Sequence, residues 1–145
     1  MKNLVKKASL SLTLLSLIPT VALAASKGNN SSAEFDWNPV MEAIIQVESE
    51  GNSRAVSGNS VGAMQITPIL VKECNEILKA RGSRKRYSMN DRYSVKKSKE
   101  MFLLIQSHHN KANNVEKAIR TWNGGPRYSV RATNKYFRKV MRQLK

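Results

Sequence analysis

Cysteine is nearly absent from this sequence. Cys74 is the only one in 145 residues, so no disulfide bond can form within the chain. The fold must therefore rest on a packed apolar core. Cys74 shares a helical face with Leu70, Ile77 and Leu78, which predicts a small buried apolar residue. A catalytic thiol would want a histidine nearby, and because the chain has only two, a cysteine nucleophile is disfavoured.

Acidic residues are also scarce, with 10 Asp and Glu against 25 Lys and Arg and a formal net charge of +15. This balance favours an anionic partner. The sequence has no phosphate-binding glycine loop, no zinc-ligand spacing and no nucleotide fingerprint, and we expect neither a metal nor a cofactor. His108 and His109 are adjacent and should point away from each other on a helix, as polar residues near its end rather than joint metal ligands.

Long apolar runs are missing except at the N-terminus. Three lysines within the first seven residues precede an apolar stretch over residues 8–18, and Ala22-Leu23-Ala24 offers small residues at both positions that determine cleavage. This arrangement predicts a secretory signal peptide over residues 1–24, cleaved before Ala25. A retained N-terminal anchor is the alternative. No later run approaches the roughly 20 apolar residues that cross a bilayer.

Export changes which anionic partner is expected. Cleavage removes three lysines and no acid, which leaves 22 basic against 10 acidic side chains and a net charge of +12. For a periplasmic or secreted chain, an anionic wall polymer or a membrane surface is a more fitting partner than nucleic acid. We therefore expect no nucleic acid partner, no stable membrane span after cleavage, and a monomer. Residues 25–35 are polar and without period, which predicts a flexible linker.

The remainder, residues 36–145, shows helical periodicity and no useful period-2 strand, which predicts one small all-α domain. Residues 51–66 lack a helical period and should form a loop, and the basic segment over residues 81–92 should be a solvated loop. The predicted helices are one from Asn38 to near Gly51, one from Thr67-Pro68 to Leu78 or Ala80, one capped by Ser94, one capped by Asn114, and one from about Thr133 that buries Phe137, Val140, Met141 and Leu144.

One acid lies on the apolar stripe of the first helix. Glu48 follows Met41, Ile44 and Ile45 at the i, i+3, i+4, i+7 positions. Burial disfavours the charged carboxylate, and the carbonyls at a helix C-terminus do the same, so both should raise the pKa of Glu48 and favour a proton donor near neutral pH. An ion pair with one of the many basic side chains is the alternative, and this pattern alone leaves both open.

The polar residues that accompany Glu48 are typical of a carbohydrate cleft. Ser49 offers a hydroxyl beside the acid, and Met64-Gln65 supplies an amide that can bind sugar hydroxyls or an acetamido group. Trp122-Asn123 combines an aromatic face with a second amide. The glycines that follow, Gly124-Gly125, allow close approach of a ligand to the backbone.

Three motifs in register carry a resemblance to a known family. Glu48-Ser49, Gly62-Ala63-Met64-Gln65 and Thr121-Trp122-Asn123-Gly124-Gly125 resemble the motifs of soluble lytic transglycosylases with a lysozyme-like domain. The resemblance extends over residues 38–141 and implies that residues 36–145 form a catalytic domain with a mostly helical, goose-type lysozyme-like fold. It also implies cleavage of the β-1,4 bond between N-acetylmuramic acid and N-acetylglucosamine in peptidoglycan glycan strands.

The resemblance further implies roles for individual residues. Glu48 matches the catalytic acid and base, and Ser49 the hydroxyl that supports it. The matches to the substrate-binding positions are Met64, Gln65, Trp122 and Asn123. Two positions depart from the family pattern: Ala63 stands where leucine is usual, and Trp122 stands where tyrosine is usual and therefore lacks a phenolic hydroxyl.

The number of carboxylates bears on the reaction. Ordinary glycosidases use two, and only Glu48 is well placed here. The resemblance implies that Glu48 acts first as acid and then as base on the C6 hydroxyl, which closes a 1,6-anhydro ring. A hydrolytic muramidase is the nearest alternative, but goose-type lysozymes carry a carboxylate just after the Met-Gln pair, where this chain has Thr67. A non-catalytic cationic wall-binding module is the second alternative.

Overall fold

The computed structural model describes residues 35–144. The predicted signal peptide and all but the last residue of the predicted linker lie outside the described residues. Within this range, no helix combines the length and the apolar character needed to cross a membrane.

Helices dominate the described chain, which confirms the predicted all-α class. A hairpin of two two-residue strands, which periodicity did not predict, follows the first helix, and a 3₁₀ turn over Met89–Tyr93 precedes the third. The elements are α1 (Asn38–Ser49), β1 (Val56–Ser57), β2 (Ser60–Val61), α2 (Pro68–Ala80), α3 (Val95–His109), α4 (Val115–Gly124) and α5 (Val130–Gln143).

Local capping explains where three of the helices begin. The side chains of Thr67, Ser94 and Asn114 each accept a hydrogen bond from a backbone N–H in the first turn of α2, α3 and α4. These three caps confirm the predicted starts of those helices.

The other two starts differ from the prediction. Trp37 occupies the N-cap position of α1, while the Asn38 side chain donates to Asp36 Oδ1 at 2.8 Å. The last helix begins three residues before Thr133 because the Ser129 hydroxyl accepts from the backbone N–H of Ala132. The extra turn of α5 places the Val130 carbonyl beside α4, where it accepts from Arg120 Nη1 at 3.1 Å.

The core lies where α1, α4 and α5 pack together and where α2 meets α3. A chain of aromatic rings joins these parts, with centroids 5.6 Å apart between Trp37 and Phe102 and 5.2 Å apart between Phe102 and Trp122. Cys74 is fully buried, as predicted. The prediction for Met141 is wrong: it is 42% exposed, because it lies at the edge of the inward face of α5.

The basic segment over residues 81–92 is not simply a solvated loop, which corrects the prediction. Tyr87 is buried, and the Arg92 guanidinium donates to the carbonyls of Asn59 and Ile66 at 3.1 and 3.3 Å. Gly62 packs so closely here that a Cβ atom would lie 1.9 Å from the Arg92 carbonyl oxygen, and its φ is +80°. Through these contacts the segment stabilises the position of the loop that carries Met64 and Gln65.

Candidate active site

Glu48 lies in the last turn of α1 and is half-buried. Burial raises the pKa of its carboxyl group, and a hydrogen bond from Tyr136 offsets part of this shift. The direction is the one expected for an acid on an apolar stripe. Such a carboxyl group keeps a protonated fraction at higher pH than an ordinary glutamate does.

The partner of Glu48 is a neutral donor. The Tyr136 hydroxyl donates to Glu48 Oε1 at 2.8 Å, and burial together with the neighbouring carboxylate raises the pKa of this phenol. Among residues 35–144, no basic side chain lies within ion-pair distance of Glu48. The ion-pair alternative that the sequence left open finds no partner in this range.

Sequence reasoning missed Tyr136, which comes from α5, 88 residues after Glu48. A signal for it was present. Tyr136 follows Thr133 by three residues and precedes Val140 by four, so it shares a helical face with two residues that are buried. A tyrosine on an inward face needs a partner for its hydroxyl, and Glu48 is that partner.

Ser49 connects the end of α1 to the loop that follows the hairpin. Its hydroxyl donates to the Ala63 carbonyl at 2.8 Å and lies 3.4 Å from the Ile45 carbonyl. Ala63 itself is buried, so its backbone, held by Ser49, fixes the loop relative to Glu48. A direct role of the hydroxyl in chemistry stays a prediction.

Met64 and Gln65 occupy different layers of the site. The Met64 side chain is 0% exposed, so it can support the site only from beneath. Gln65 is half-buried with a φ of +51°, and its Nε2 donates to the Gly62 carbonyl at 2.9 Å. This internal bond orients the amide before any ligand arrives.

Trp122 is held on two sides. Its indole Nε1–H donates to the Met64 carbonyl at 3.2 Å, and its ring packs against Phe102. The indole N–H therefore already donates a hydrogen bond within the protein. Asn123, the next residue, is exposed at the end of α4.

Several of these residues line one polar pocket of about 200 Å³. The pocket brings together four residues predicted for the site, Glu48, Gln65, Trp122 and Asn123, whereas Ser49 and Met64 do not line it. Two serines of the hairpin, Ser57 and Ser60, complete the lining with Thr67. The hairpin serines were not predicted individually because a two-residue strand leaves no periodic signal.

Glu48 is the only carboxylate that lines this pocket within the described chain. Thr67, which stands where goose-type lysozymes carry a carboxylate, also lines the pocket, and its hydroxyl accepts from the Leu70 backbone N–H at 3.2 Å. No group of three or more Asp, Glu, His or Cys side chains between residues 35 and 144 is arranged to hold a metal ion. The pocket therefore offers one titratable acid, two amides, hydroxyls and an aromatic edge.

The histidine prediction needs a correction. The rings of His108 and His109 do not point apart: their centroids are 4.5 Å apart in an edge-to-face contact at the end of α3. Two long side chains in a last helical turn can converge even though their Cα–Cβ bonds diverge. His109 Nε2 also lies 2.7 Å from Glu73 Oε1 on α2, a contact that the sequence did not indicate.

Comparison with known proteins gives one family match. A family model described as the transglycosylase SLT domain matches residues 26–144. No curated protein and no solved structure gives a significant match. Because the family match covers most of the chain, the protein belongs to the transglycosylase SLT domain family, whose members cleave the glycan strands of peptidoglycan.

Proposed function

We propose that this protein is a peptidoglycan lytic transglycosylase that cleaves the β-1,4 bond between N-acetylmuramic acid and N-acetylglucosamine and leaves a 1,6-anhydro end. The observation that carries the proposal is Glu48, a single desolvated carboxyl group in a polar pocket, paired with a neutral phenol. Family membership supports the substrate class.

In the first step Glu48 acts as the acid. Its raised pKa favours the protonated form of the carboxyl group, which donates a proton to the bridging oxygen. The bond between C1 of the muramic sugar and that oxygen then breaks. The acetamido oxygen of the same sugar stabilises the positive charge at C1, a task that a second carboxylate performs in ordinary retaining glycosidases.

In the second step Glu48 acts as the base. The carboxylate removes the proton from the C6 hydroxyl as O6 bonds to C1, which closes the anhydro ring and regenerates the acid. No water enters the product. The Tyr136 hydroxyl donates to Glu48 Oε1 throughout and holds the carboxyl group in one orientation. Because the pKa of Tyr136 is raised, its phenol stays neutral while Glu48 changes charge.

The amides bind and orient the sugars. Gln65 and Asn123 line the same pocket as Glu48 and present polar groups for hydroxyl and acetamido substituents. Trp122 supplies an aromatic edge between them, while Met64 supports the indole from below through its carbonyl. Ser49 acts by fixing the loop at Ala63.

Hydrolysis is the competing reaction. An inverting hydrolase needs a second carboxylate to activate water, and none lines this pocket in residues 35–144. Thr67 at the corresponding place has its hydroxyl oxygen engaged by the Leu70 N–H. Release of anhydro ends is therefore favoured over release of reducing ends.

The test is release of soluble fragments from purified peptidoglycan by the mature chain and two variants. Glu48→Gln keeps the size and polarity of the side chain but removes the proton, and we expect about a 10³-fold loss of rate. Glu50→Gln is the matched control, because Glu50 is exposed at the same helix end. If Glu48→Gln released fragments at the wild-type rate, the protein would be a wall-binding module or would use another acid.

We also propose that the protein is exported as a monomer to the periplasm or the medium, in keeping with a substrate that lies outside the cytoplasm. The support is the N-terminal sequence, with its lysines, apolar stretch and Ala22-Leu23-Ala24 site. Protein recovered from outside the cytoplasm should begin at Ala25. A recovered chain that begins at Met1 would favour the retained anchor.

A further inference from the structure

The last helix, α5, gathers its basic side chains on one side. Five exposed residues make up this basic face: Arg131, Lys135, Arg138, Lys139 and Arg142. At about 100° per residue they occupy roughly one third of the helix circumference, opposite the buried residues Thr133 and Val140. The basic face extends about 16 Å along the helix at the usual rise of about 1.5 Å per residue.

No acidic side chain offsets these charges. The sequence contains no Asp or Glu after Glu116, and Glu116 itself pairs with Arg120 on α4. Among residues 35–144, no side chain of the basic face lies within ion-pair distance of a carboxylate. A groove of about 480 Å³ lies on this face, lined by its five residues and Asn134. The basic face therefore presents charge of one sign to whatever lies outside the protein.

This arrangement costs the isolated protein stability. Like charges four residues apart on a helix repel each other, as Lys135 does with Arg131 and with Lys139. Solvated protein surfaces usually intersperse the two signs and so avoid such repulsion. An anion bound from outside would relieve the repulsion that the protein's own side chains leave in place.

The basic face lies apart from the Glu48 pocket. Tyr136, on another side of the same helix, donates to Glu48, whereas no residue of the basic face lines the Glu48 pocket or the pocket beside it. An anion bound at the basic face therefore leaves the Glu48 pocket accessible. Binding at one side of α5 and cleavage at the other can occur at the same time.

Two exposed apolar side chains border the basic face and indicate which anion fits it. Val130 is 59% exposed and Met141 is 42% exposed, and their spacing places both on the same side of α5. The guanidinium groups of the basic face match phosphate oxygens in pairs. Phosphates above apolar chains make up a phospholipid surface, whereas a hydrated polyanion offers no contact to an exposed methionine. The combination favours a membrane surface over a soluble polymer.

We propose that the basic face of α5 binds the surface of an anionic phospholipid membrane. Its Lys and Arg side chains contact headgroup phosphates, while Val130 and Met141 enter the boundary between headgroups and acyl chains. The protein then lies on the membrane without crossing it. This inference goes beyond the proposed function and does not depend on the reaction at Glu48.

Flotation of the full mature chain with lipid vesicles tests the proposal. We expect binding to phosphatidylcholine vesicles that contain phosphatidylglycerol, none to vesicles without it, and loss of binding at about 1 M salt, where the Debye length is about 3 Å. Lys135→Gln with Lys139→Gln should weaken binding about 30-fold, because each basic residue near the surface contributes roughly a factor of five. Lys96→Gln with Lys111→Gln is the matched control: it removes the same charge from exposed sites outside α5 and should weaken binding much less.

A further variant separates a membrane from a soluble polyanion. Met141→Gln leaves the charge unchanged and should weaken vesicle binding about threefold, since part of an apolar side chain no longer enters the lipid. Its binding to polyphosphate should equal that of the wild type. Thermal unfolding checks that every variant is folded.

Three outcomes would overturn the proposal. One is equal binding to vesicles with and without phosphatidylglycerol. Another is equal weakening by the two double variants, which would assign the binding to net charge rather than to the basic face. The third is no binding to the anionic vesicles, and binding of polyphosphate or DNA in that case would assign the basic face to a polymer.

Discussion

Two glutamates on the same surface have opposite kinds of partner. Glu48 receives a hydrogen bond from a neutral phenol, and burial raises its pKa. Glu73 receives one from the imidazole of His109, and both side chains are about one third exposed in the wall of a neighbouring pocket of about 220 Å³. Trp122 and Asn123 lie in the walls of both pockets. The residue type is identical, and burial rather than the hydrogen-bond partner is what raises the pKa of Glu48.

The two hydrogen-bond partners come from different helices. Tyr136 reaches Glu48 from α5, and His109 reaches Glu73 from α3. The two contacts join residues that are 88 and 36 positions apart in the chain, so each depends on how two helices pack against each other. The wall shared by the two pockets is the element whose loss should damage both.

Removal of the Trp122 side chain, which lines both pockets, should have the largest effect. Trp122→Ala deletes a ring packed on Phe102 and the bond to the Met64 carbonyl, and we expect a loss of about 3 kcal/mol in the free energy of unfolding, in the range of large-to-small core changes. Fragment release should fall with it. Denaturant unfolding and a turnover assay check both effects.

Trp122→Phe serves as the control for this prediction. It keeps an aromatic ring against Phe102 but lacks the indole N–H and the fused second ring, so it should lose more than the roughly 1 kcal/mol of one hydrogen bond and less than Trp122→Ala. If Trp122→Ala unfolded like the wild type, the contacts of the indole with Phe102 and the Met64 carbonyl would not stabilise the domain.

A smaller effect should follow from removal of the neutral donor. Tyr136→Phe deletes the bond to Glu48, and we expect about a tenfold loss of kcat because the carboxyl group is no longer held in one orientation. The bond lowers the pKa of Glu48, so its loss should raise that pKa further. The fall in rate at high pH should therefore move to higher pH.

A pH profile of kcat/KM measures this shift, with Tyr93→Phe as the matched control because Tyr93 is exposed. A shift of the high-pH limb to lower pH would contradict the assigned hydrogen bond. An unchanged profile would show that the phenol does not act on Glu48 in the working enzyme.

A substitution at Thr67 should move the reaction partway toward hydrolysis. Thr67→Asp places a carboxylate in the wall of the Glu48 pocket, where it can activate water, and aspartate keeps the N-cap of α2. We expect a minor fraction of products with reducing ends. Thr67→Asn is the control, since it caps the helix without a base. Equal fractions from both variants would mean that the added carboxylate does not reach water.

The smallest expected effect is on stability. Because the pKa of Glu48 is raised in the folded state, its contribution to stability is full below the unfolded pKa and is lost as pH rises through the folded value. The glutamine of the Glu48→Gln variant does not ionise, so its contribution to stability does not fall as the pH rises. We therefore expect the variant to have a higher Tm than the wild type at pH 7, with the difference vanishing near pH 4. A lower Tm at pH 7 would contradict a desolvated carboxyl group.

The sequence predicted the features that depend on neighbours along the chain. Thr67, Ser94 and Asn114 cap their helices through bonds to the first turn, and the position of Glu48 follows from a single helical period. These signals need no knowledge of how the helices pack. The three motifs predicted the family, and the family match over residues 26–144 confirms that prediction.

Features that depend on packing between distant elements were not predicted. Neither the phenol at Glu48 nor the Glu73–His109 contact follows from spacing, because each joins two helices whose relative position is unknown before folding. The error at Met141 has the same cause: a residue at the edge of a helical stripe is buried only if a neighbouring helix covers that edge.

The mass of the new sugar ends formed by the mature chain tests the central claim most directly. If Glu48 serves in turn as acid and base, the muramic ends should be 1,6-anhydro and lighter by one water than hydrolysed ends, and their release should depend on Glu48. A product with reducing muramic ends alone would contradict the account.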